Sequence, residues 1–569
     1  MSTASGSKQN SIFEHTNTQS PTPQPNYISS VGIEKPSRGE HLENADARSV
    51  GSKFPERPKL LRKITTGNED YLEDGRRLLR EKDCYDKLGY SFTTKKKWLI
   101  LSTIFMVQIS MNLNAGIFPN AISLVADEFG VSMPKARVSQ IMFMIMYALG
   151  CELWAPWSEE FGRWPIMQCS LFLVNIWQIL GGLAPNFASV VVARSLGGLC
   201  SAGGSVTLGI VADMWEANDQ GYAVAFIVLS SVGGSSLGPI FGGILQDNLS
   251  WRWNFWIQLI VGAVMQAAHF VLVSETKASV LIDREAKRRR AEGEEDNCYG
   301  PGEIHQHKMT MGEIVEVWKR PFVMFLTEPI VLFLSLLSGF SDALIFVCME
   351  SFTLVYKQWG FSATSCGLAF IPVIIGYFIA YGIHVPDVAR QMFLIKHEGE
   401  ESRFAERRML LLLFLGPLEA IGLFGFAWTS MGPEHNPWIA PMIFSVLIAI
   451  ANYSIYMSTI DYMVAAYGSF SASATGGNGF ARNFLAGIAA TYAEPMYHNI
   501  GKSHQMQWAS TLLGALAVLV MIPIYVFYWK GPEIRARSKF AQVLAADRKA
   551  KFTPEGAESF VEKPGVSHV

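Results

Sequence analysis

Apolar residues in this chain come in long blocks, not in the short alternating runs of a β-strand. Twelve blocks stand out, at 98–119, 136–157, 166–184, 188–215, 222–245 and 253–274, then 322–349, 363–386, 409–431, 437–466, 470–497 and 507–529. A helix of roughly 20–25 residues crosses a ~30 Å hydrocarbon core, and it satisfies its own backbone hydrogen bonds there. A membrane β-barrel needs alternating strands of about 10 residues, and these blocks do not alternate. The pattern predicts an all-α membrane protein with twelve transmembrane helices in two six-helix bundles.

Polar stretches set the boundaries. Residues 1–91 read as a disordered N-terminal tail, rich at its start in Ser, Thr, Gln, Asn and Pro. Residues 92–275 form a first six-helix bundle, 276–321 a central loop, 322–530 a second bundle and 531–569 a C-terminal tail. The loop carries the helix-prone string DREAKRRRAEGEEDN. Two bundles joined by a long polar loop suggest a path between them, with the loop as the connector that lets them rock.

Composition agrees with the pattern. Only 17% of the 569 residues are charged, below the roughly 25% of soluble domains, and the mean hydropathy is +0.21. The net charge of −2 argues against nucleic acid as a partner. Basic residues decide orientation. Lys95, Lys96 and Lys97 precede the first block, Arg288, Arg289 and Arg290 lie in the central loop, and Lys530, Arg535, Arg537 and Lys539 follow the last block. Both termini are therefore expected on the cytoplasmic side. The seven cysteines show no metal-ligand spacing and no disulfide framework.

Polar groups inside the spans are costly and so become the first site candidates. Asn112 and Asn114 are candidates to line a cavity, with Tyr377 and Tyr453 as aromatic walls for an organic solute. Arg194, Asp342, Glu350, Asp461 and Arg482 are candidates for transport and proton coupling, Asp342 first among them. An acid that gains and loses a proton as its surroundings change gives such coupling a chemical basis, and Arg194 is expected to tune a nearby acid. Asn248-Leu249-Ser250 matches a glycosylation sequon on the expected outer side.

Three strings carry more. APWSEEFGRWP, residues 155–165, holds Glu159, Gly162 and Arg163 in a short turn suited to a switchable gate. ARSLGGLCSAGG, residues 193–204, places Gly198 and Ala202 on the helical face of Arg194. GSSLGPIFGG, residues 234–243, spaces Gly234, Gly238 and Gly242 by four and adds Pro239 and Gly243. As a set, with WRWNFWIQ at 251–258 and YWKGPEIRARSKFA at 528–541, these strings resemble the major facilitator superfamily, specifically its fungal twelve-spanner drug:proton antiporter branch. Trp164 stands where relatives usually have a second basic residue, and Ala155 where they usually have Gly.

The resemblance covers roughly residues 92–541. It implies a major facilitator fold and a secondary transporter in the plasma membrane, active as a monomer. Such a protein exports a drug, a fungal toxin or another secondary metabolite by alternating access, with lipid, small solute and protons as its partners. The proton gradient would supply the energy, with no cofactor. An uptake symporter and a non-transporting receptor of the same fold are the alternatives. An enzyme is not expected, because no phosphate-binding loop, metal cluster or nucleophile elbow is present.

Overall fold

The computed structural model describes residues 76–538, apart from 217–218, 305–310, 399–405, 468–470 and 502. The expectations for residues 1–75 and 539–569 lie outside the described residues.

Twelve long helices follow the predicted blocks: α1 Thr94–Gly116, α2 Met133–Phe161, α3 Arg163–Gly182, α4 Phe187–Met214, α5 Gly221–Asn248 and α6 Trp253–Leu272. The second six are α7 Pro329–Tyr356, α8 Ala363–Leu394, α9 Glu406–Thr429, α10 Ile439–Tyr467, α11 Ser471–Asn499 and α12 Gln505–Arg537. Eleven are long and apolar enough to cross a membrane. The exception is α11, whose first half reads SASATGGNGFAR. Small and polar residues there lower its apolarity without shortening it.

Packing repeats between the two sets. In the first, α1 lies on α5, α2 on α4, α3 on α4 and α6, and α1 also on α6. In the second, α7 lies on α11, α8 on α10, α9 on α10 and α12, and α7 also on α12. Adding six to each helix number of the first set reproduces the second. Across the halves, α2 packs on α11 and α5 on α8, which the same operation exchanges. Two equivalent bundles related in this way are a natural frame for a site on their shared axis.

Two expectations need correction. Residues 76–91 are folded, not disordered. Arg77–Leu78 forms a short strand that pairs in parallel with Cys298–Tyr299 of the central loop. Leu79, Cys84 and Leu88 bury against Ile282, Ala286 and Cys298. The loop helix Ala278–Glu292 supplies the other wall of this small core, so the apolar residues of 76–91 find a partner far away in sequence. We call this unit the platform. It docks on the first half, where Tyr90 donates its hydroxyl to the Ala212 carbonyl.

The seventh span is also displaced. A separate helix, Met311–Thr327, takes up the start of the expected 322–349 block. Pro329 opens α7, because it lacks an N–H and disfavours helical geometry at Glu328. The span then runs on to Tyr356, which puts Asp342 at its middle.

Candidate functional site: a cavity between the halves

A cavity of about 290 Å³ lies between the two halves. Asn112 of α1, Tyr147 of α2, Asp342 of α7, Tyr456 of α10 and Arg482 of α11 line its deep part. Ala155, Glu159, Arg163 and Gln220 line its end towards the platform face. Its centre is an ion pair. Arg482 Nη2 stands 2.8 Å from Asp342 Oδ1, and the guanidinium lies over the Tyr456 ring, 3.5 Å from its centroid. Both charged side chains are about nine-tenths buried. An ion pair with a cation–π floor is one of the few ways to hold charge at that depth. It also offers one acid and one cation to whatever enters.

The opposite face is sealed by polar contacts across the halves. Arg137 of α2 pairs with Glu494 of α11 and lies 3.7 Å from Glu350 of α7. Nearby, the Thr364 amide at the start of α8 donates to Asp247 of α5 at 2.7 Å. That carboxylate sits on the first turn of α8, where exposed amides favour an anion.

The helix-five string explains how α5 reaches both neighbours. A Cβ on Gly238 would stand 2.1 Å from the Gly116 carbonyl carbon, so its face touches the α1 backbone. Gly234 and Gly242 face the same helix, against Ile109 and Ile117. On the other face, Gly243 meets the backbone of Ala363, and Gly367 of α8 meets the Pro239 carbonyl. Five positions of one string therefore serve two interfaces. Asn248 lies exposed at the end of this helix.

At the platform face, Gly162 adopts φ +100°, a conformation that favours glycine. The Glu275 carboxylate occupies the space a side chain would need. It accepts the amides of Arg163 and Trp164 at 3.0 and 3.2 Å, capping α3. The Arg163 side chain turns instead to Asp213 at 2.9 Å and Ser158 at 2.6 Å. Glu159 remains exposed at the cavity rim. The second half repeats the theme. Arg408, at the start of α9, pairs with Asp461 of α10 at 2.5 Å, and Arg535 of α12 pairs with Glu406 at 2.6 Å.

Several sequence expectations are corrected here. Arg194 meets no acid among its hydrogen-bond partners. Its guanidinium donates to the carbonyl and side-chain oxygens of Asn114 and to Gln140, between the rings of Phe118 and Phe143. Neutral acceptors take both terminal nitrogens of the cation and two aromatic faces flank it, so α1, α2 and α4 are bound together with no carboxylate among its hydrogen-bond partners. Asn114, Tyr377 and Tyr453 do not line the cavity. Asn114 is spent on Arg194 and Ser201. Tyr377 is buried between Ser236 and Asn452, and Tyr453 donates to the Ala225 carbonyl at 2.9 Å. Both rings tie the second half to α5. Glu350 and Asp461 also stand away from the cavity, Glu350 at the closed opposite face and Asp461 paired with Arg408 at the platform end of α10, while Asp342 and Arg482 meet within it.

Arg137, Gln140, Glu275, Arg408 and Glu494 carry no site signal in the sequence. Arg137 sits beside a predicted loop and passes for a surface charge. Its partners are more than 200 residues away, and no local spacing signals them.

A helical membrane protein of two equivalent halves, with a charged cavity between them, is the architecture of a solute transporter. The family model for the Major Facilitator Superfamily matches residues 101–491, and the chain belongs to that superfamily. It is 33% identical over 418 residues to the MFS-type transporter paaT of Penicillium rubens, covering 73% of this chain and 75% of that one. It is 29% identical over 462 residues to an ascochitine biosynthesis cluster MFS transporter of Didymella fabae, covering 79% and 86%. It is 26% identical over 460 residues to the multidrug transporter FLU1 of Candida albicans, covering 80% and 74%. The chain is thus a membrane transporter and not an enzyme.

Proposed function

We propose that this protein exports a small organic compound, a secondary metabolite or drug-like molecule, in exchange for protons by alternating access. The observation that carries the reading is the Asp342–Arg482 pair inside the cavity. A proton taken up by Asp342 removes one charge and weakens its hold on Arg482, so the solute and the proton compete for one site. Substrate entering from the platform face meets the pair, while Arg137, Glu350 and Glu494 hold the opposite face closed.

The basic residues around the platform support a cytoplasmic assignment for that face, and on this reading both termini are cytosolic and the cavity opens to cellular products. We assign the ties of Arg163 to Asp213 and of Arg408 to Asp461 to the inner ends of the halves, where they brace the gate. The helix-five string is the surface on which the halves turn. The names of the fungal relatives, one from a biosynthetic cluster and one a multidrug transporter, favour the plasma membrane and an outward direction. The working unit is a monomer, because the cavity is complete within one chain.

The test is deletion followed by profiling of cells and medium, with and without an agent that collapses the proton gradient. Product retained in deleted cells, and equally in wild-type cells without a gradient, is the expected result. An unchanged partition in both comparisons counts against export, and gradient-independent efflux counts against the proton.

A further inference from the structure

A second carboxyl lies behind the cavity. Glu419 of α9 is fully buried. Its Oε1 accepts the Ser341 hydroxyl, and its Oε2 has no partner among the described residues. Ser341 immediately precedes Asp342 on α7, so the hydroxyl that serves Glu419 and the acid of the cavity are adjacent residues of one helix. The groups around Glu419 are neutral. Ser341 and Cys348 face it from α7, and Asn452 of α10 approaches through Ser341. Asp461 of α10 and Arg535 of α12 are engaged at the platform ends of their helices with Arg408 and Glu406, and the other charged residues of α12, Lys530, Glu533 and Arg537, lie on that same last stretch of the helix.

The hydrogen bonds continue past Ser341. Asn452 Nδ2 donates to Ser341 Oγ at 3.1 Å, and Asn452 Oδ1 accepts from the Tyr377 hydroxyl at 3.2 Å. Tyr377 accepts from Ser236 at 3.4 Å. Ser236 lies on α5 of the first half, inside the helix-five string. The chain thus runs from α9 through α7, α10 and α8, and crosses to the other bundle.

We propose that Glu419 is a proton-binding site distinct from Asp342, at the receiving end of a donor chain from Ser236 through Tyr377, Asn452 and Ser341, and that its occupancy is thereby coupled to closure of the halves. A carboxylate with one hydroxyl donor, an orphan oxygen and no cation is costly to hold in a membrane interior. The neutral acid is not. A serine hydroxyl has one hydrogen to give. With Glu419 ionised, Ser341 gives that hydrogen to Glu419 and accepts from Asn452. With Glu419 protonated, the acid donates to Ser341, whose own hydrogen turns to a carbonyl of its preceding helical turn. Asn452 donates to Ser341 in both states, so only the last link reverses, and with Glu419 ionised every donor from Ser236 onwards points towards it and strengthens the next. Separating α5 from α8 removes Ser236, the first donor of that chain, and so weakens the hold on the ionised acid. Proton affinity at Glu419 and closure are then coupled, each altering the other by the same factor.

What the proton drives rests on the exchange reading above. Proton binding itself does not, so the experiment measures binding directly. Full-length protein in lipid vesicles is titrated and followed by infrared spectroscopy in the carboxylic C=O stretching region. A protonated-carboxyl band is expected at neutral pH, absent in Glu419→Gln and Glu419→Leu and retained in Asp342→Asn. Ser341→Ala is expected to shift its frequency by removing a hydrogen bond. A band unchanged by both Glu419 variants overturns the site, and a band unmoved by Ser341→Ala overturns the chain. Proton-driven flux that persists without the band sinks the inference alone. A band that behaves as expected while flux ignores the proton gradient sinks the exchange reading alone.

Discussion

Arg137 on α2 reaches across the interface of the two halves to Glu494 on α11, with Glu350 of α7 3.7 Å away on its other side. One cation thus holds two carboxylates of the opposite bundle. Arg137→Ala leaves those carboxylates facing each other unneutralised. Breaking a buried pair costs about 3–5 kcal/mol, while inverting a 99:1 equilibrium takes about 5.5 kcal/mol. The variant is therefore expected to open the opposite face to a mixed population. Spin labels at Asn248 and Lys357, measured by pulsed dipolar spectroscopy, would show a second, longer distance. A single unchanged distance would mean that packing alone holds the seal.

The ion pair in the cavity makes a different prediction. Arg482→Ala strands a buried carboxylate and is expected to lower stability by about 3–5 kcal/mol. Adding Asp342→Ala to it removes the stranded charge, so the double variant should be more stable than Arg482→Ala alone. Thermal unfolding in detergent gives the ranking. Additive losses would show that the two residues do not act as a unit.

Neighbouring glycines on α5 separate close approach from mere helical position. Gly238→Ala drives a Cβ into the backbone of Gly116, where no side chain can yield. Gly233→Ala meets nothing within 4 Å, and alanine favours a helix by up to about 1 kcal/mol. The first variant should yield little folded protein and the second at least wild-type levels. Size-exclusion profiles of the two would decide.

Glu285 on the platform predicts an acid limit. Hydrogen bonds from Arg288 hold its carboxyl down, from 4.5 to about 2, against the opposing effect of burial, and Arg289 adds to them. The folded state therefore binds this proton less readily than the unfolded one. Its stabilisation is full above about pH 4.5 and disappears as pH falls through about 2. Amide exchange across Ala278–Glu292 should quicken over that window, and Glu285→Gln should flatten the dependence.

Much of this was legible in the chain. Span positions follow from apolar blocks, because lipid demands a continuous run. Only α7 moved, where Pro329 restarted the helix. The site was legible in part, since Asp342 and Arg482 were flagged singly by the cost of charge in a membrane. Their pairing was not, because it joins residues 140 apart on different helices. Arg194 was misread for a related reason. Sequence shows a buried cation, but not that Asn114, Gln140 and two aromatic rings converge on it from other helices. The strand pairing of Arg77–Leu78 with Cys298–Tyr299 was equally out of reach, since each partner is only two residues long.

The contact of Gly243 with Ala363 and of Gly367 with Pro239 has a mechanical consequence. Where these helices meet, main chain lies on main chain, with no side chain interposed. Interlocked side chains must leave one rotamer and find another whenever packed surfaces slide, and each such exchange adds a barrier. A bare-backbone bearing has no such teeth, so the bundles can tilt against each other there and return along the same track.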